Sequence, residues 1–268
     1  MPTTGVISDY LENKIIDHTL RNQSYASPGT NVYVALFTDA TVQNDANDGT
    51  EVDATAYQRV QVTNWDAPTS GSTSNGADIN FPTAGANWGN IRYIGIFDAS
   101  THGNLLFWGQ LDEDKDVTNG DTFSIQAEDL DIWLGGAFGY AASGSIINHV
   151  LRNSAMPVSG SKVYVALYTE NPTAADTGAE LDKAGYTRKN ITNWSAPILG
   201  SGSTINTQIE AFEPAEETWG EITHIGIKNT EGTSGGDLLY YGPLQDSRTV
   251  GNGDTFRFSE GALSVTVD

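Results

Sequence analysis

Apolar and polar positions follow two patterns, and both occur twice, in the same order. The first is strand-like: residues 32–38 read VYVALFT and residues 163–169 read VYVALYT, identical at six of seven positions. Each is an apolar run of strand length, rich in β-branched and aromatic side chains. Val32, Val34 and Leu36 fall on one face and Tyr33, Ala35 and Phe37 on the other. Both faces are apolar, so the spacing predicts a central strand covered on both sides. The second pattern is helical. Leu11, Ile15, Ile16 and Leu20 share one helical face. Ser8 is placed to cap that helix, Asp9 and Glu12 suit its positive end, and Arg21 and Asn22 suit its negative end and a left-handed stop. Ile146, Ile147, Val150 and Leu151 repeat the stripe ahead of Arg152 and Asn153.

The recurrence extends along the whole chain. An offset of 131 relates Ile16 to Ile147, Val32 to Val163, Trp88-Gly89 to Trp219-Gly220, and Ile94-Gly95-Ile96 to Ile225-Gly226-Ile227. The offset is 129 for Trp65 and Trp194, and 133 for Asn119-Gly120-Asp121 and Asn252-Gly253-Asp254. Such drift marks loop insertions, where added length costs little. A repeat this long is a whole domain rather than a solenoid unit. The boundaries read as 1–134 and 140–268, with the Gly-rich residues 135–139 as the joint. Further strands are expected at 58–63, 91–97, 105–111, 123–125 and 130–134, with counterparts at 188–192, 222–227, 238–244, 256–258 and 262–267. The Ser/Thr/Gly-rich residues 69–76 and 200–204 read as exposed turns. Acidic loops occupy 39–53 and 170–182. Together these predict a mainly β protein: two homologous β-sandwich domains, each with one N-terminal α-helix packed on the sheet.

Charge and composition narrow the function. The 268 residues carry 13 Lys and Arg against 34 Asp and Glu, a formal charge of −21 that opposes nucleic-acid binding. There is no cysteine, so disulfides, thiolate chemistry and Cys-type zinc sites are excluded. No apolar stretch reaches membrane-spanning length, and the N-terminus lacks an export-signal pattern, so neither membrane nor Sec-type export is expected.

Candidate chemistry is sparse. Trp65, Trp88, Trp194 and Trp219 could offer surfaces on which sugars stack, or could close the edges of two cores. Glu51 with Arg59, and Glu180 with Arg188, read as structural ion pairs across neighbouring strands, since no second positioned carboxylate accompanies them. His18, His102, His149 and His224 form no metal-ligand spacing. No nucleophile elbow, phosphate loop or dinucleotide fingerprint occurs. Residues 45–49, Asp-Ala-Asn-Asp-Gly, have some calcium-loop character without the EF-hand spacing. The expectation is therefore no catalytic residue, no cofactor and no metal, an adventitious Ca²⁺ apart.

The residues that recur also resemble a known family. Residues 10–18, VYVALFT, Glu51-Val52, Tyr57-Gln58-Arg59, Phe81-Pro82, Trp88-Gly89, residues 94–98, residues 104–109 and Asn119-Gly120-Asp121 together look like a family of tailed-bacteriophage virion proteins labelled tail-fibre proteins. The second repeat departs from the pattern at Gly144-Ser145, Lys228-Asn229 and Tyr240-Tyr241. The resemblance implies a non-enzymatic structural protein of the virion, assembled in the cytoplasm of the bacterial host: a tail-fibre or tail-tip component, with capsid decoration as the alternative. A carbohydrate-binding module is the alternative of another class, with a host-surface glycan as its ligand. Partners would be other virion proteins. A homotrimer or higher homo-oligomer is expected, because three two-domain chains would present six similar surfaces in a pseudo-sixfold ring.

Overall fold

A computed structural model describes residues 3–39, 45–157 and 162–267. The first repeat runs β1 (Thr3–Ile7), α1 (Asp9–Leu20), β2 (Tyr33–Phe37), β3 (Val60–Gln61), β4 (Ser72–Ser74), β5 (Ile79–Asn80), β6 (Gly89–Phe97), β7 (Leu105–Val117), β8 (Ser124–Ile125) and β9 (Leu130–Trp133). The second runs α2 (Tyr140–Leu151), β10 (Tyr164–Tyr168), β11 (Lys189–Asn190), β12 (Ser203–Ile205), β13 (Glu210–Ala211), β14 (Gly220–Lys228), β15 (Leu238–Val250), β16 (Arg257–Phe258) and β17 (Ser264–Thr266). The protein is mainly β, with a helix near the start of each repeat, preceded in the first by β1.

The paired apolar runs form β2 and β10. Each lies between two antiparallel neighbours, β3 and β6 for β2, and β11 and β14 for β10. Their two-faced apolar character has the expected cause. Val34 and Leu36 enter the main core, while Ala35 and Phe37 join Tyr93, Phe97 and Leu105 in a second cluster on the other side. In the second repeat Lys228 stands where Phe97 does in the first. It is buried, and its Nζ meets Asp176 Oδ2 at 2.5 Å. Tyr168 donates to the same carboxylate, at 3.0 Å. A polar pair thus replaces a ring contact, and the carboxylate neutralises the buried ammonium.

The helices begin and end where their sequence signals lie. Ser8 Oγ accepts from Leu11 N–H and donates to Leu105 O. Asn22 and Asn153, just beyond the two helices, adopt φ of 56° and 53°, the left-handed stop. The second helix starts at Gly139 with no side-chain cap. A Cβ there would lie 2.1 Å from Leu238 O, so the close approach of β15 excludes a capping side chain. Ser8→Ala should therefore cost about 1–2 kcal/mol, the upper part of the usual range for a cap, because both bonds are buried. Urea unfolding reads this directly.

The sequence does not predict β1, β5 or β13, and two further regions in each repeat differ from its expectation. The segments read as exposed turns contain β4 and β12, which pair with β9 and β17. Their Ser and Thr content hid them, but Thr73, Asn75, Thr204 and Asn206 are buried and hydrogen-bonded. Asn75 donates to Ala77 O and Gln126 O and accepts from Leu130 N–H, and Asn206 does the same with Gln208 O, Ser259 O and Leu263 N–H. The strands expected at 105–111 and 238–244 continue to Val117 and Val250, because long hairpins with β6 and β14 carry polar residues beyond the core. Of the acidic loop expected at 39–53, residues 40–44 lie outside the described residues.

The repeats also differ from each other. In the first, β1 lies between β7, antiparallel, and β9, parallel, and so joins one seven-stranded sheet in the order β3-β2-β6-β7-β1-β9-β4. In the second, the corresponding strands stay as a four-stranded sheet, β11-β10-β14-β15, and a separate pair, β12-β17.

The two repeats pack through reciprocal contacts. Helix α1 lies against β12 of the second repeat, and α2 against β4 of the first. Around Gly71 the backbone is close to Ser143 and Leu134 O; around Gly202 it is close to Glu12 and Val267 O, the same four positions exchanged. Residues i to j and j to i mark a two-fold relation, here internal to one chain.

Candidate functional site

All four tryptophans named above are buried: Trp65, Trp88, Trp194 and Trp219 are 2–7% exposed. Trp88 packs edge-on against Tyr57 and donates to Thr55 O at 3.1 Å; Trp219 packs edge-on against Tyr186 and donates to Ala184 O at 3.0 Å. Trp65 and Trp194 bury indole N–H groups that meet no partner among the described residues. Their rings close the cores and leave no face on which a sugar could stack. The most exposed aromatic side chains among the described residues, Trp133 and Tyr140, flank the connection between the repeats. Neither stands out in the sequence, because exposure there depends on how the repeats pack.

The two Glu–Arg pairs form as expected, and each is part of a larger network. Arg59 grips Glu51 through Nε and Nη2 at 2.8 and 2.7 Å, and its Nη1 donates to Ala99 O and His102 O. Arg188 repeats this on Glu180, with Nη1 reaching Thr230 O, Thr230 Oγ1 and Gly235 O. Tyr57 and Tyr186 donate to the same carboxylates and accept the N–H of Leu36 and Leu167. Burial, reinforced by the neighbouring glutamate, pushes both phenols far above their ordinary range. These groups lock the strands β2 and β10 to the loops beside them, and their bonding capacity is used internally.

His18 and His149 meet at the internal two-fold, stacked with ring centroids 5.4 Å apart. His18 Nε2 lies 2.7 Å from Met156 O, and His149 Nε2 lies 2.9 Å from Tyr25 O, the reciprocal pair. His18 Nδ1 accepts from Tyr25 N–H, which fixes a neutral ring carrying its proton on Nε2. His149 Nδ1 instead faces Ser154 O, so a neutral His149 can donate only one of its two bonds. Burial holds the His18 imidazolium below its ordinary range; the Met156 carbonyl opposes this and the His149 ring adds to it. A lowered folded value means that the unfolded chain binds the proton more readily. The stability contributed by neutral His18 is therefore complete above about pH 6.5 and is lost as pH falls toward the lowered value. His18→Gln should flatten the decline in melting temperature between about pH 7 and 5, relative to the unmodified protein.

The remaining candidates stay apart. His102 sits in a turn at φ 55°, and His224 contacts Thr223 Oγ1. Asp45, in the segment with calcium-loop character, accepts from Trp108 Nε1 at 2.6 Å. Among the described residues no three His, Asp or Glu side chains converge as a metal site would require.

Fold and side-chain networks define a tandem-duplicated β-sandwich protein whose shared polar residues serve its own architecture. The family can then be stated: the chain belongs to the family described as podophage GP4 fiber I protein gp80, whose model matches residues 6–133 and again 137–266. No curated protein matches the chain.

Proposed function

We propose that this protein is a non-enzymatic structural component of a tailed-phage particle, placed at the tail as part of a fibre or tail tip and assembled in the host cytoplasm. The observation that carries this is the fibre-family match across both repeats. The internal bonding of the repeated Glu51, Arg59 and Tyr57 side chains and of Glu180, Arg188 and Tyr186 supports it, because these polar groups hold the scaffold together. Self-association into a homotrimer belongs to this reading. Its geometry differs from a six-fold ring, since the reciprocal packing turns the two repeats in opposite senses, so three chains would present them alternately. Gold-labelled antibody against the chain tests the placement. Label at the tail is the expected result; label spread over the capsid lattice would assign decoration instead, and unlabelled purified particles would refute a virion role.

A further inference from the structure

The two repeats differ most where β1 lies, and the difference leaves an unfilled place. Residues 134–136 correspond in sequence to Thr3–Gly5 at the 131 offset. In the first repeat the backbone of Thr3, Thr4 and Gly5 runs parallel to Leu130, Asp131 and Ile132 of β9. In the second repeat the chain arrives from β9 of the first and cannot occupy both sheets. Leu134 N–H bonds to Gly71 O, Gly136 turns at φ +67°, and only Ala137 and Phe138 rejoin β15, opposite Tyr241 and Tyr240. Among the described residues the partner edge, β17, is thus left open on the side where β9 receives β1.

A cavity of about 100 Å³ marks the place, lined by Ile225, Ile227, Tyr240, Gly242, Leu263 and Val265 among others. The first repeat has the same hollow between Ile94, Ile96, Phe107, Gly109, Leu130 and Ile132, where it holds only about 10 Å³. Every residue in the first set is the repeat counterpart of one in the second. The open edge also carries hydrogen-bonding capacity. Leu263 O and Val267 N–H bond toward β12, to Asn206 N–H and Gly202 O. By strand alternation, the N–H and C=O groups of Ser264 and Thr266 point into the groove.

We infer that the groove between β15 and β17 is a strand-acceptor site, which binds an extended segment of a different polypeptide running antiparallel to β15 and parallel to β17. The homologous β1 defines the ligand chemistry: a short extended stretch, uncharged, with small and β-branched residues. The net charge of −21 favours basic residues flanking it. A second copy of the chain does not suit the role. Among the described residues each chain has two such places and one strand, β1, of this kind, so a β1 given to a neighbour vacates its own place and nothing is gained.

The test uses the full chain and a fluorescent synthetic peptide carrying the Thr3-Thr4-Gly5 sequence, the stretch whose place is vacant, with two lysines at each end, read by anisotropy. Two variants obstruct the groove. Gly242 lines the hollow on the face of Tyr240, and a Cβ there meets nothing within 4 Å, so Gly242→Leu adds a bulky side chain beside the hollow. Ser264→Pro removes an N–H that the β12 ladder does not use, a position where an edge strand tolerates proline. Saturable binding is expected, weakened about tenfold or more in both variants while their melting temperatures hold, with Ser264 and Thr266 amides gaining protection from hydrogen exchange in the complex. Absence of binding at about 1 mM peptide, or equal binding by both variants, would overturn the inference. Amides already protected without peptide would show that the chain fills its own groove. Self-association abolished by Gly242→Leu would assign the groove to a second copy. Either result also overturns the proposal.

Discussion

Replacing Arg188 with alanine should lower the unfolding free energy by about 3–5 kcal/mol, the usual cost of removing one partner from a buried pair. The Arg188 side chain is 0% exposed and Glu180 only 12%, so the abandoned carboxylate would remain largely out of water. The loss extends past the ion pair. Nη1 also holds Thr230 and Gly235, so the turn between β14 and β15 would lose its tie to β11. Arg59→Ala should cost less, because Glu51 is 27% exposed and can rehydrate. The double change Arg188→Met with Glu180→Leu should restore much of the stability, since it strands no charge. Urea denaturation of the four proteins reads the series. An Arg188→Ala cost below about 1 kcal/mol would mean that the pair behaves like a surface ion pair.

Expressed separately, residues 1–134 and 135–268 should fail to fold alone and should recover native structure as a one-to-one complex when combined. The physical cause is that each helix packs against both repeats, α1 against β7 and β12 and α2 against β15 and β4. Ile15, Tyr25, Ile146 and Val150 enclose the histidine pair between the repeats, leaving a void of only about 10 Å³. Exposing each such side chain costs about 1.5–3 kcal/mol, and several together approach the roughly 5–15 kcal/mol that hold a typical protein folded. Circular dichroism and gel filtration of each half, then of the mixture, decide the matter. Two independently folded, monomeric halves would show that the reciprocal contacts contribute little.

Much of the fold could be read from residue order because the controlling interactions are local or periodic. The stripe from Leu11 to Leu20, the Ser8 cap, the asparagine stops and the two-faced strands β2 and β10 depend on spacing alone. The Glu51–Arg59 and Glu180–Arg188 pairs are also legible, since each pair is eight residues apart and a turn between its members holds both beside one strand. What escaped depends on partners distant in sequence. Strands β4 and β12 look like loops because they are rich in Ser and Thr, and only the partners supplied by β9, β17 and the opposite helix make them strands. For the tryptophans, sequence allowed two readings, and the packing of Tyr57, Phe81 and their counterparts around them decides between exposure and burial. The strand-acceptor groove had no signature at all, because it consists of a missing neighbour.

Because α1 and α2 clasp each other within one polypeptide, their association does not weaken on dilution. A tether of a few residues between β9 and α2 keeps the partners at millimolar effective concentration, however few molecules a cell contains. Two separate single-repeat chains held by the same contacts would come apart as their numbers fell. Fusion also lets the halves change independently, so one end of the unit could acquire a new attachment while the other kept its own.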